Sequence, residues 1–257
     1  MTDDDGKAAG PLSDDAFLGD ALNILQPAYG YRAGIDAVLL AAAAPVRTGR
    51  REHVLDAGAG VGVVGLCVAA RFPDARVTLV EVESSLAEIA AENVQRNGLK
   101  DRVAVAVGDL TAQPARLDLQ PESFAHVLAN PPFAIEGRSR PAGSRLKTRA
   151  VAMARNSLDD WGRFLARMAA PHASATVIHR ADALYDLLAM FDGRFGSLRI
   201  LPLHPRAGTP AIRILVQGFK GSRAPATLLP GLILHGDGNA FLPDIQAVLR
   251  AGAALKW

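Results

Sequence analysis

Asn130-Pro131-Pro132-Phe133 is the segment of this chain with the most chemistry per residue. It follows SFAHVLAN (123–130), a run that reads as a strand, so it stands at a strand's carboxyl end. Open α/β sheets build their sites there. The Asn130 side-chain carbonyl and the Pro131 backbone carbonyl are two acceptors for the two hydrogens of a planar amino group. Holding both hydrogens favours a more pyramidal nitrogen and frees its lone pair for in-line attack on an electrophile. Pro131 and Pro132 stiffen the loop, so the acceptors are placed in advance. Phe133 offers a face on which a flat base can stack. The attacking nitrogen loses its proton only after it becomes cationic, so no general base is needed beforehand.

A second set of residues precedes it. VLDAGAGVGVVG (54–65) turns from a strand into a helix through Gly58, Gly60, Gly62 and Gly65. The last three match G-x-G-x-x-G, a nucleotide-binding spacing. Asp56 stands ahead of the glycines, where a carboxylate suits a ligand with an amino group and repels a pyrophosphate. Glu81 closes the next strand, 19 residues after Gly62, and can accept from both hydroxyls of a ribose. Glu83 is the weaker candidate. Asp109 closes the third strand in VGD. The extended pattern D-x-G-x-G-x-G resembles motif I of class I S-adenosylmethionine (SAM) methyltransferases. In those enzymes the Asp109 position accepts from the cofactor's adenine amino group.

From Arg138 to Arg155 there are six basic residues and no acid: Arg138, Arg140, Arg145, Lys147, Arg149 and Arg155. With Gly137, Pro141 and Gly143 this reads as a cationic loop directly after the Phe133 segment, suited to a polyanion.

Elements that would position these groups alternate along the chain. Residues 1–15 read as a disordered acidic arm. Residues 16–221 form the catalytic domain, within which 16–50 give a ribbon and a helix (35–44) over the cofactor site. Strands at 53–58, 75–83, 102–109, 123–130 and 174–180 are separated by helices, one of them opened by Ser84 as N-cap. A further helix starts at a Ser157-x-x-Asp160 capping box. Two last strands, 197–205 and 211–221, suggest an antiparallel pair. The expected fold is α/β and Rossmann-like, a seven-stranded, mostly parallel sheet with a terminal antiparallel hairpin. Residues 222–257 are an extension with no legible role.

Composition agrees. The 257 residues carry 28 Lys+Arg against 26 Asp+Glu, which excludes a polybasic coat, and the 49% hydrophobic share excludes a mostly disordered chain. One cysteine, Cys67, and six scattered histidines predict no metal site and no disulfide. No apolar run approaches the roughly 20 residues that span a bilayer, and no signal peptide is visible. A cytoplasmic protein with no membrane contact is expected.

The [ND]-P-P-[FYW] pattern is shared by adenine-N6, cytosine-N4 and glutamine-N5 methyltransferases. ILQPAYGYRAGIDAVLLAAA (24–43) resembles the Q-P-x-x-G-Y-R-x-x-x-D-x-x-L-L-A stretch of the bacterial tRNA (adenine-N6) methyltransferase family. Members of that family methylate an adenine beside the anticodon of a valine tRNA. The likeness runs from about residue 17 to about 219. It implies that Tyr31, Asp36, Asp56, Gly58, Gly60, Gly62, Glu81, Asp109 and Asn130 hold SAM, that Asn130, Pro131, Pro132 and Phe133 hold the adenine, and that Arg32 and the 138–149 cations meet RNA, most simply tRNA. Three rivals stay open at this point: a glutamine-N5 protein methyltransferase, an NAD-dependent reductase and a catalytically idle RNA-binding module. The oligomeric state is not legible.

Overall fold

The computed structural model describes residues 11–30, 32–110, 117–133, 158–255 and 257. The chain opens with a hairpin, β1 (Leu12–Phe17) antiparallel to β2 (Leu22–Pro27). Residues 12–15, expected in the acidic arm, are strand; residues 1–10 of that arm lie outside the described residues. Two acids of that segment are paired: Asp15 with Arg32 at 2.7 Å, and Asp14 with Arg96.

One large sheet follows. Its strands are β3 (His53–Ala57), β4 (Arg76–Glu81), β5 (Val103–Val107), β6 (Phe124–Ala129), β7 (Ala169–Arg180), β8 (Phe195–His204), β9 (Arg213–Lys220), β10 (Thr227–Leu228) and β11 (Leu232–Ile233). The order is β10-β8-β9-β7-β6-β3-β4-β5, with β11 also on β8. The expected seven strands are β3–β9, with β9 antiparallel to both β7 and β8. The count is corrected to nine, because the extension adds two short parallel strands to the β8 edge.

Two apolar layers cover the sheet. On one face lie α1 (Ile35–Ala43), α2 (Val63–Arg71), α3 (Ser84–Arg96) and α6 (Pro243–Ala251). On the other lie α4 (Leu158–Met168) and α5 (Leu184–Phe191). Neighbouring strand residues divide between the layers, Val54 to one and Leu55 to the other. That is the period-two pattern of a strand buried on both sides. Ser84 is the first residue of α3, not its cap. Glu83 occupies the cap position, and its backbone N–H is already held by the Glu81 carboxylate at 2.9 Å.

The extension has a structural role the sequence did not reveal. The Leu255 N–H donates to the Ala42 carbonyl at 3.0 Å, and the Trp257 indole N–H to the Ala43 carbonyl at 3.1 Å. These satisfy the last carbonyls of α1, which Pro45 prevents from continuing. The hairpin is fixed as firmly. Asn93 of α3, fully buried, exchanges hydrogen bonds with the Leu25 backbone and donates to the Val61 carbonyl in the glycine loop.

Toward the amino end of the sheet, β3, β6 and β7 share a buried polar network. His126 meets Ser174 Oγ at 2.8 Å through Nδ1 and Glu52 Oε2 at 3.1 Å through Nε2. Glu52 in turn accepts from the Arg47 backbone N–H and Nε. Among the described residues, no helix is long and apolar enough to cross a membrane.

Candidate functional site

The sheet reverses its strand order at β3. The chain passes from β3 to β4 and β5 on one side, then returns to place β6 on the other. Ligands of open α/β sheets bind in the crevice at such a switch point, outside the carboxyl strand ends. Register puts Ala57 level with Val80 and with Ala129, and Ala129 level with Val177. Gly58, Glu81, Asn130 and the end of β7 therefore share one rim.

The glycine loop takes the conformation its sequence demands, with φ of 68° at Gly58, 58° at Gly60 and 91° at Gly62. At Gly58 there is a second reason for glycine. A Cβ there would lie 2.5 Å from the Trp161 ring of α4, so the indole occupies the space expected to be open to a ligand.

Two carboxylates brace this loop from beneath. Asp56 is 1% exposed, and its Oδ2 accepts from the Gly65 N–H at 2.9 Å. Glu81 accepts from Gly60, Val82 and Glu83 N–H groups at 2.7–2.9 Å. Both are expected to reach a ligand, and in the structure both hold the loop. Burial pushes the Asp56 carboxyl up to about 7, with Glu81 repulsion adding and the Gly65 N–H opposing. Burial also raises Glu81, against its three N–H donors. Two carboxylates reluctant to ionise beside each other form a site that gains from a nearby cation and repels an anion. Asp109 follows β5 on the same rim, partly buried and with a partner of its own.

Asn130 is the exception to this self-satisfaction. Its Oδ1 is buried and has no hydrogen-bond partner among the described residues. An unmade hydrogen bond of this kind costs about 1–3 kcal/mol, and functional sites are where such costs collect. Phe133 lies beyond it, gripped by two side chains. The His179 ring meets it edge-on at 4.8 Å, and the Arg213 guanidinium stands over it at 4.9 Å. A cleft of ≈ 430 Å³ opens from Phe133 along the rim to Arg180, Asp182, Ile212 and Arg213.

His179 is one of the six scattered histidines. It is 6% exposed, its Nδ1 is also unpartnered, and burial takes its pKa down to about 4, against the pull of Asp182. Its signal in the sequence was a polar residue at the end of the apolar run SATVI.

Two residues expected at ligands carry ion pairs in the structure. Asp36, expected at the cofactor, accepts from Arg213 Nε at 2.7 Å and so reaches across to β9. Arg32, expected at RNA, donates to Asp15, Ser13 and the Pro27 carbonyl, and locks the hairpin. In both cases a long-range partner absorbs the charge. Tyr31, Arg138, Arg140, Arg145, Lys147 and Arg149 lie outside the described residues, as does Ser157.

The methyltransferase small domain family model matches residues 34–181, from the start of α1 to the end of β7, and so includes the glycine loop, Glu81 and Asn130. The chain belongs to this family. A curated relative from Aeromonas hydrophila, named tRNA1(Val) (adenine(37)-N6)-methyltransferase, is 32% identical over 74% of this chain and 77% of its own. A relative of the same name from Porphyromonas gingivalis is 32% identical over 52% of this chain, which spans 54% of that relative's length. Several other relatives are matched over about half their length. Among solved structures, a predicted O-methyltransferase from Agrobacterium tumefaciens is 31% identical, with a TM-score of 0.72 over 86% of this chain and 98% of its own. The α/β fold expected from the strand–helix alternation, and the methyltransferase fold implied by the resemblance, are the ones observed.

Proposed function

We propose that this chain transfers a methyl group from SAM to the exocyclic N6 of an adenine in RNA, with tRNA as the substrate its curated relatives' names specify. When bound, SAM supplies an electrophilic methyl on a sulfonium. The residues present fit it. Asp56 and Glu81 make the loop a poor place for a pyrophosphate and a good one for a ligand with ammonium and sulfonium charges. The glycine loop, Glu81 and Asp109 lie along the rim where a nucleoside would be held.

One observation carries the reading: the orphaned Oδ1 of Asn130 at the switch point. An amino group placed there donates to it, and donates its second hydrogen to the Pro131 carbonyl. Phe133 supports the flat base once it is swung out of its stack. Both prolines keep these acceptors from relaxing, so their placement favours the transition state over the bound substrate. A tRNA substrate puts the protein in the cytoplasm.

Methyl-labelled SAM and an unmodified tRNA transcript pool test this directly. Digestion to nucleosides should return label in N6-methyladenosine. The name of the Agrobacterium structure offers a second reading, in which the acceptor is a hydroxyl. Label in an O-methylated nucleoside would favour it. Label in protein glutamine, with none in RNA, would overturn both.

A further inference from the structure

The cleft beside Phe133 contains a pair of arginines that the adenine pocket does not need. Arg180 ends β7, Arg213 opens β9, and the two are direct Cα partners across the antiparallel ladder. Like charges placed opposite each other destabilise a sheet. Here each cation has its own carboxylate: Asp182 for Arg180, and Asp36 for Arg213. Neither guanidinium is used up. Arg180 spends Nε and Nη2 on Asp182, and Arg213 spends Nε on Asp36 and Nη1 on the Ile212 carbonyl. Nη1 of Arg180 and Nη2 of Arg213 have no partner among the described residues. Both side chains line the ≈ 430 Å³ cleft with Phe133 and Ile212. Ile212 is 47% exposed and gives the cleft an apolar patch between its cations. Arg213 also stands over the Phe133 ring, so this rim is continuous with the stacking surface.

We propose that Arg180 and Arg213 form a phosphate subsite that holds the RNA backbone next to the adenine being methylated. The inference rests on the RNA reading above. Guanidinium forks suit phosphate oxygens, and each carboxylate occupies part of its arginine while leaving one N–H edge free. A backbone anchored here sets how far the flipped base reaches toward Asn130, which gives the pair a positioning role.

The test uses the full chain and a fluorescein-labelled, adenine-containing RNA stem-loop. Arg180→Gln and Arg213→Gln should each weaken RNA binding about tenfold and leave the SAM affinity unchanged. The salt dependence separates a phosphate contact from a packing role: each variant should lower the slope of log affinity against log salt by about 0.7. Asp182→Asn should act in the opposite direction and tighten RNA binding about threefold, because it removes a competing anion from an exposed pair. Unchanged slopes in both arginine variants, with wild-type methylation of RNA intact, would overturn the subsite and leave the methyltransferase reading standing. Failure of the wild-type protein to bind or methylate RNA would overturn both. If Arg213→Gln folds poorly because α1 loses its tether, Arg180→Gln and Asp182→Asn still decide the matter.

Discussion

Two clusters of buried polar groups on the central sheet are finished in opposite ways. Toward the amino end, Ser174, His126, Glu52 and Arg47 form a chain in which each group named meets another. At the carboxyl end, Asn130 Oδ1 and His179 Nδ1 are buried without partners among the described residues. Residue types are similar, and so is burial. Satisfaction is what separates them. The Ser-His-Glu chain resembles a nucleophilic triad in composition, yet Ser174 is 2% exposed and its environment is complete. It stabilises three strands. The unfinished end is where a ligand is still required.

That contrast can be broken most severely at Asn130. Asn130→Ala should cut methyl transfer by about a thousandfold or more, with SAM affinity by calorimetry unchanged. Near-normal turnover would remove the distinction between the two ends. At the complete end, Glu52→Ala should leave kcat intact and cost about 3 kcal/mol of stability in urea unfolding, because it strands His126 and the Arg47 backbone N–H in the interior. Burial raises the Glu52 carboxyl, but hydrogen bonds from Arg47 and His126 bring it below its ordinary range. The group is therefore ionised when it is lost.

Asp56 sharpens the comparison through pH. Its folded pKa is about 7, against 3.8 for a free aspartate. Between those values the folded chain keeps a proton that the unfolded chain has lost, so the Asp56 contribution to stability falls as pH rises and levels off above about 7. Relative to Asp56→Asn, the wild type should be less stable by about 4 kcal/mol near pH 8, and by well under ~1 kcal/mol near pH 4. A pH-independent difference would mean that the loop carboxylate does not carry the burden described. A smaller effect belongs to Phe133→Ala, which should raise the KM for RNA about tenfold, the size of one lost base–aromatic stack, without moving the KM for SAM.

Much of this architecture was legible because its causes are local. Glycines at 58, 60 and 62 declare a left-handed loop, β-branched runs declare buried strands, and Asn130-Pro131-Pro132-Phe133 declares a rigid turn at a strand end. What could not be read were partners set by distant folding. Arg213 and Asp36 are 177 residues apart, and no spacing rule connects them. Arg32 looked free because its partner lay in a segment too acidic to look like a strand. The extension was mute for the same reason, since its hydrogen bonds end on carbonyls of α1. Asn93 did leave a trace, as a polar residue within the apolar face formed by Leu86, Ile89, Ala90 and Val94.

The indole of Trp161, packed against Gly58, has a practical consequence. The chain has only two tryptophans, and this one is shut away from water against the backbone that a nucleoside would cover. Its fluorescence is thus a built-in gauge. Filling the loop changes the field and contacts around one identifiable chromophore, so occupancy can be titrated optically in the unlabelled protein, with Trp257→Phe supplying the single-tryptophan background.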